Sequence, residues 1–440
     1  MSETNSRIMV ILVATALAVG TMFLFYPGLM SYDSIFMYRQ VIGDMPVGNY
    51  HPPVMVYAWQ LGHFVIGAGS MLIFHQLMYW SAIATIAICV QDRLWARLLV
   101  VTIVGLLPPL WIHSAIIWND VGVMSSFLLA IACTLVLKRT GARWVYFLGI
   151  LALFYGMAAR PTALLAAIPL LYILCDAFFN SGSRQGRWSK IALLASVLWL
   201  SGLTVVYMIG AIGVEQNTKW PTIAVWDLGA VSIAEQKVLI PAAILFQRNK
   251  SETENLALLK EAFDPEVNGP LANVANFFPQ PEHHQELFKA WLNLPVEYPV
   301  SYFKHRVQVF AHLLGFGSGE IHLAFEHRVI ENDFGLKLLN QDSKVFDKSI
   351  QWVALSTNTL VYRPWVYLLI LVLILASASY RLRHNNLFGS RLLVSMGFSG
   401  LLYVLPLLIV APATDFRYVL WMVACSSVMF CFIFRVPEPQ

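Results

Sequence analysis

Apolar runs of about twenty residues, separated by short polar connections, set the pattern of this chain. A helix needs ~20 mostly apolar residues to cross a bilayer. About ten segments qualify: roughly 8–26, 71–90, 98–117, 121–138, 144–159, 162–179, 191–213, 362–380, 392–411 and 417–434. Val54–Ile66 is apolar but short and follows two prolines, so it reads as a helix lying at the membrane interface. The one long interruption is 215–361. It predicts helices at Glu252–Ala262 and Gln285–Leu292, broken by Asp264-Pro265 and by a proline-rich patch around Phe278–Glu282. Pro299–Phe316 reads as amphipathic, with Lys304, His305 and Arg306 among Tyr302, Phe303, Val307 and Leu313, its basic groups directed toward lipid phosphates. The expected fold is an all-α polytopic membrane protein with about ten transmembrane helices, interfacial helices in the first outer loop and one large, mainly helical extracytoplasmic loop. Its expected divisions are 1–214, 215–361 and 362–440.

Composition sharpens this. The apolar set makes up 58% of residues and charged residues only 12%, with mean hydropathy +0.64, whereas soluble domains run near ~25% charged. Ile8–Tyr26 is long for a signal-peptide core and lacks a small-residue cleavage site, so it reads as a retained first helix. Cys89, Cys133, Cys175, Cys425 and Cys431 lie in or beside apolar spans without metal-ligand spacing, which disfavours disulfides and zinc alike.

The basic residues then separate by side. Arg7, Arg93, Arg97, Lys138, Arg139, Arg143, Arg184, Arg187, Lys190, Arg381, Arg383, Arg391 and Arg435 fall on one face, and the alternate short connections hold only Arg39, Arg160 and Arg417. This positive-inside bias puts both termini in the cytoplasm. The net charge of +4 therefore reflects topology, and no basic nucleic-acid-binding stripe is present. The outer side receives Tyr32-Asp33-Ser34, Trp118-Asn119-Asp120, Arg160-Pro161, the 215–361 segment and Asp415-Phe416-Arg417-Tyr418.

A carboxylate at membrane depth is costly unless it faces water or a partner, which makes Asp33 a functional candidate. The bland alternative is an N-cap for a short loop helix, a role Ser31 or Ser34 could fill equally well. His51, before Pro52-Pro53, could orient a phosphate or sugar hydroxyl, or simply sit hydrogen-bonded at a helix start. Asp120 could complement a helix N-terminus, act in catalysis or hold a metal; Asn119 could bind sugar or cap. Arg160 and Arg417 lie at outer helix ends where they need an anion: a lipid phosphate for Arg160, Asp415 for Arg417, or a substrate phosphate for both. Lys304 and Arg306 could join them in an anion site. One base, several cations and a surrounding bilayer suit sugar transfer from a lipid phosphate, which needs no nucleotide site; the chain has no nucleotide-binding glycine loop.

At these residues the chain resembles the GT-C superfamily of polyprenyl-phosphate-sugar-dependent membrane glycosyltransferases. The likeness rests on Tyr32-Asp33-Ser34, His51-Pro52-Pro53, Trp118-Asn119-Asp120, Arg160-Pro161 and Asp415-Phe416-Arg417-Tyr418, in that order, and on Trp291 through Gly315 with its Pro-x-x-Tyr and following basic residues. It spans most of the chain by topology but few residues by motif. The resemblance implies an inverting transfer to a glycan or lipid-linked acceptor outside a bacterial inner membrane, with Asp33 as base. Donor-phosphate and substrate contacts would come from His51, Asn119, Asp120, Arg160, Lys304, Arg306, Arg417 and Tyr418. The first loop carries one Asp where the family usually has an acidic pair, and the second has Asn119-Asp120 where some members carry a Lys. Metal dependence therefore stays open: a divalent cation, Mg or Mn, with Asp33 and Asp120 its ligands if any. The narrower likeness is to bacterial enzymes adding a side sugar to O-antigen or another lipid-linked glycan. Two other classes compete: a transporter or flippase for an amphiphilic solute, disfavoured by few mid-membrane charges and no evident repeats, and a transferase of phospholipid headgroups or acyl groups.

Overall fold

The computed structural model describes residues 2–179, 187–216, 219–317, 321–385 and 387–432, and these are helical, with isolated bridges in place of strands. They group into two compact units: Met1–Glu215 with Ala324–Val404 and Val419–Gln440, and Gln216–Leu323 with Leu405–Tyr418.

The first unit runs through α1 (Glu3–Phe25), α2 (Tyr32–Val41), α3 (Val54–Ile66), α4 (Ser70–Val90) and α5 (Leu94–Leu99). A π-helical turn (Val100–Val104) follows, then α6 (Pro108–Ser114), α7 (Asn119–Thr140), α8 (Arg143–Ala159), α9 (Pro161–Phe178) and α10 (Arg187–Ala211). The second unit holds α11 (Trp220–Glu235), α12 (Glu252–Ala262), α13 (Pro281–Glu297) and α14 (Pro299–Leu313). The chain continues through α15 (Lys344–Thr357), α16 (Pro364–Asn385), α17 (Phe388–Val404), α18 (Leu407–Val410) and α19 (Leu420–Phe432).

Among the described residues, seven helices are long and apolar enough to cross a membrane: α1, α4, α7, α9, α10, α16 and the stretch Phe388–Val410. The expected count of about ten included three segments that take other forms. Arg143–Ala159 and Phe416–Phe432 are shorter apolar helices, and the run expected at 98–117 is a pair, Leu94–Val104 and Pro108–Ser114, bent by 68°. The bend has a covalent cause. Pro108 and Pro109 have no N–H to give to the carbonyls of Val104 and Gly105, one turn back. The buried Tyr79 hydroxyl of α4 donates to those two carbonyls instead, at 3.3 and 3.1 Å. Gly105 itself lets Trp80 close on the break, since a Cβ there would meet the indole at 2.4 Å. α7 is buried along most of its length and packs against α4, α8 and α9, which makes it the centre of this unit.

The stretch 324–361 was expected to belong with the rest of the extracytoplasmic segment; it packs with the first unit. The reason lies in the extended backbone at Leu29–Met30, whose polar groups need partners. Leu29 bridges Ile116 on one side and Met30 bridges Val329 on the other. Leu339 N–H then bonds the carbonyl of Tyr26, and α15 sets Phe346 against Phe25 and Trp352 against Trp111.

In the second unit α11 packs against α13 and α14. The amphipathic reading of α14 holds in period but not in sense. Its buried face is Tyr302, His305, Arg306, Val309 and Leu313, while Val300, Phe303 and Val307 are exposed beside Lys304. Arg306 therefore points inward, away from the surface where a lipid phosphate was expected.

Candidate active site in the interhelical loops

Asp33 sits in the first turn of α2, one residue past the helix start. The N-cap position itself is Ser31. Ser34 Oγ accepts from the Ser31 N–H at 3.1 Å and donates to the Ile117 carbonyl at 2.8 Å, so the serine closes the helix end. The Asp33 carboxylate instead faces His51, with Oδ1 3.5 Å from Nε2, and remains 27% exposed. That separation marks a charge contact more than a hydrogen bond. The imidazole is held edge-on by Phe36 and Tyr50, with ring centroids 5.7 and 5.0 Å away. α2 and α3 are pinned together beyond it by Tyr38 Oη to His63 Nε2 at 3.1 Å and by Tyr38 against Trp59. Burial raises the Tyr38 hydroxyl above its ordinary pKa, which keeps it a neutral partner for His63.

The second acidic loop is bolted to the first. Trp118 Nε1 donates to Ser31 Oγ at 2.7 Å, and Leu29 exchanges backbone bonds of 2.9 Å with Ala115 and Ile117. Gly28, at φ +124°, permits this approach, since a Cβ would strike Ile117 at 2.7 Å. Asn119 is the first residue of α7 rather than its cap, and its buried side-chain oxygen has no hydrogen-bond partner. Asp120 is nearly buried and is held by Arg160, which ends α8 and starts α9, and by the Tyr403 hydroxyl at 3.4 Å. Asp33, His51, Asn119, Asp120 and Arg160 thus belong to one network of loops in the first unit.

The other four site residues lie in the second unit. Arg417 pairs with Asp415 at 3.0 Å, the partner weighed against a phosphate from the sequence, and rests over the Tyr418 ring at 5.2 Å. Asp415 also lies 3.5 Å from His322, which with His312 flanks Glu266. Arg306 donates to Asp227 at 2.6 Å and to the Ala411 carbonyl at 2.9 Å, and both charged side chains are buried. Trp291 adds a bond to Asp227 at 2.7 Å, and His305 lies 3.1 Å from its other oxygen. This is a structural charge cluster, so Arg306 is corrected from a phosphate ligand to a core residue. Lys304, on the opposite face, is exposed.

Among the described residues, no three His, Cys, Asp or Glu side chains stand together so as to hold a metal ion. Asp33 faces an imidazole and Asp120 a guanidinium, a donor set unsuited to a shared divalent cation. The sequence reading passed over Tyr403 and Gln40. Gln40 lies seven residues after Asp33, on the same face of α2, and its buried amide has no side-chain partner; that spacing was its only available signal. No protein-family model matches this chain, and no curated protein matches it significantly.

Proposed function

We propose that the chain is a membrane glycosyltransferase that moves a sugar from a polyprenyl-phosphate donor to a glycan or lipid-linked acceptor, on the outer side of a bacterial inner membrane. The observation that carries this reading is the pair of Asp33 and His51: a carboxylate in the first turn of α2, partly open, and set against an imidazole. In this reading the acceptor hydroxyl gives its proton to Asp33 as its oxygen attacks the anomeric carbon. The bond from that carbon to the phosphate oxygen breaks, and polyprenyl phosphate leaves with the electron pair, inverting the centre. His51 holds the carboxylate in place and keeps its charge. Arg160, carried by Asp120, is the cation of the same loop network and would stabilise the departing phosphate. The orphaned Asn119 oxygen suits a sugar hydroxyl.

The test is transfer in proteoliposomes charged with a polyprenyl-phosphate hexose and a lipid-linked acceptor. A hexose increment in the acceptor's mass is the expected product. Movement of the donor across the bilayer without covalent change would instead make the protein a flippase. A phosphoethanolamine or acyl increment would make it a different transferase.

A further inference from the structure

The bent span between α5 and α6 does more than interrupt a helix. Beside its π-helical turn lies an open groove of about 480 Å³, walled by Leu99, Val100 and Ile103 on one side and by Ile370, Phe430 and Cys431 on the other. That volume matches cavities that hold small apolar molecules. Polar groups in the wall are occupied internally: Ser426 Oγ donates to the Tyr367 carbonyl, Ser427 Oγ to Val423 and Gln91 Nε2 to Cys431. The walls are all apolar: α16 is long enough to cross a membrane, the Leu94–Val104 stretch qualifies together with α6, and α19 is a shorter apolar helix, so the medium that suits the groove is hydrocarbon rather than water.

One end of the groove is chemically different. Gln91 and Trp95 line it there, and Trp95 is exposed. Arg93 lies between them in sequence and is exposed, and the exposed Arg139 bonds the Ile88 carbonyl nearby; of the acids beside them, Asp92 adjoins Arg93 in sequence and Glu3 is paired with Arg97, which bonds the Gln91 carbonyl. An amphipathic indole with basic side chains at the end of an apolar trough is the pattern of a headgroup level. We infer that this groove binds an anionic glycerophospholipid, one acyl chain lying along Val100–Val104 and the phosphate held by Arg93. The site is independent of the outer loops and of the transfer reaction.

Native mass spectrometry of the full-length protein with dioleoyl phosphatidylglycerol tests it. One retained lipid is expected, with preference over dioleoyl phosphatidylcholine. Ala96→Trp and Ser427→Phe fill the groove from opposite walls, and each should abolish the adduct while the protein stays monodisperse. Arg93→Gln should weaken the preference for the anionic lipid roughly fivefold, the scale of one basic group at a charged leaflet. A phosphatidylglycerol with a photoactivatable chain, used on the unaltered protein, should crosslink to peptides covering 99–107 and 426–431. A folded groove-filling variant that keeps the lipid, equal retention of the two lipids, or crosslinks confined elsewhere would each overturn the assignment.

Discussion

Asp227 and Asp33 both face basic partners, in opposite surroundings. Asp227 is fully buried; Arg306, Trp291 and His305 crowd it, and nothing reaches it from outside. Asp33 has an imidazole at 3.5 Å and keeps about a quarter of its side chain exposed, at 27%. A buried ion pair contributes to the fold because removing one partner strands the other charge. A half-open carboxylate can take a proton from a visiting hydroxyl. The pairing of charges is similar in both places, so access to solvent is what separates them, and it is what the proposed function draws on at Asp33.

The sharpest way to break this contrast is to neutralise both acids in parallel. Asp33→Asn should reduce sugar transfer by about 10²–10⁴-fold, the range of a general base, with unchanged thermal unfolding. Transfer at the unaltered rate would remove Asp33 as base. Asp227→Ala should do the reverse, lowering stability by about 3–5 kcal/mol through the stranded Arg306. Thermal melts in detergent read this, and a wild-type melting temperature would show the cluster to be dispensable. Arg160→Ala and Asp120→Ala, combined in a double-mutant cycle, should show coupling of about 0.5–3 kcal/mol; additive effects would mean the two groups act separately. Tyr79→Phe should cost about 1–3 kcal/mol by leaving the Gly105 carbonyl short of a donor, again by thermal melts. Lys304→Ala, on the outward face of α14, should stay within about 0.5 kcal/mol and leave transfer intact.

Local signals in the chain translated well into structure. The helix Glu252–Ala262 appears with the bounds its sequence predicts, because Ser251 and Glu254 form a capping box within four residues. Arg160-Pro161 marks the start of α9 because proline fits the first turn of a helix. Features that depend on distant partners were not legible. Pro108-Pro109 advertises a break, but only the packing of α4 brings Tyr79 to the freed carbonyls. The joining of 324–361 to the first unit rests on backbone bridges to Met30 and on aromatic contacts of Phe346 and Trp352 with residues more than 200 positions away, which no local pattern announces. α14 misled because both of its faces carry aromatic and aliphatic residues, so the pattern alone could not say which one turns inward. For the candidate site, Asp33 and His51 were each visible, yet their meeting depends on how the loop between them folds.

The Tyr79 hydroxyl also bears on how the chain enters a membrane. A Gly105 carbonyl left without a donor would make the bent span a poor guest in the bilayer by itself. Because α4 precedes the prolines in the chain, the ribosome delivers the phenol before the break that needs it. The order of synthesis thus supplies a chaperone-like contact from within the protein, and the span can settle against a neighbour already in place.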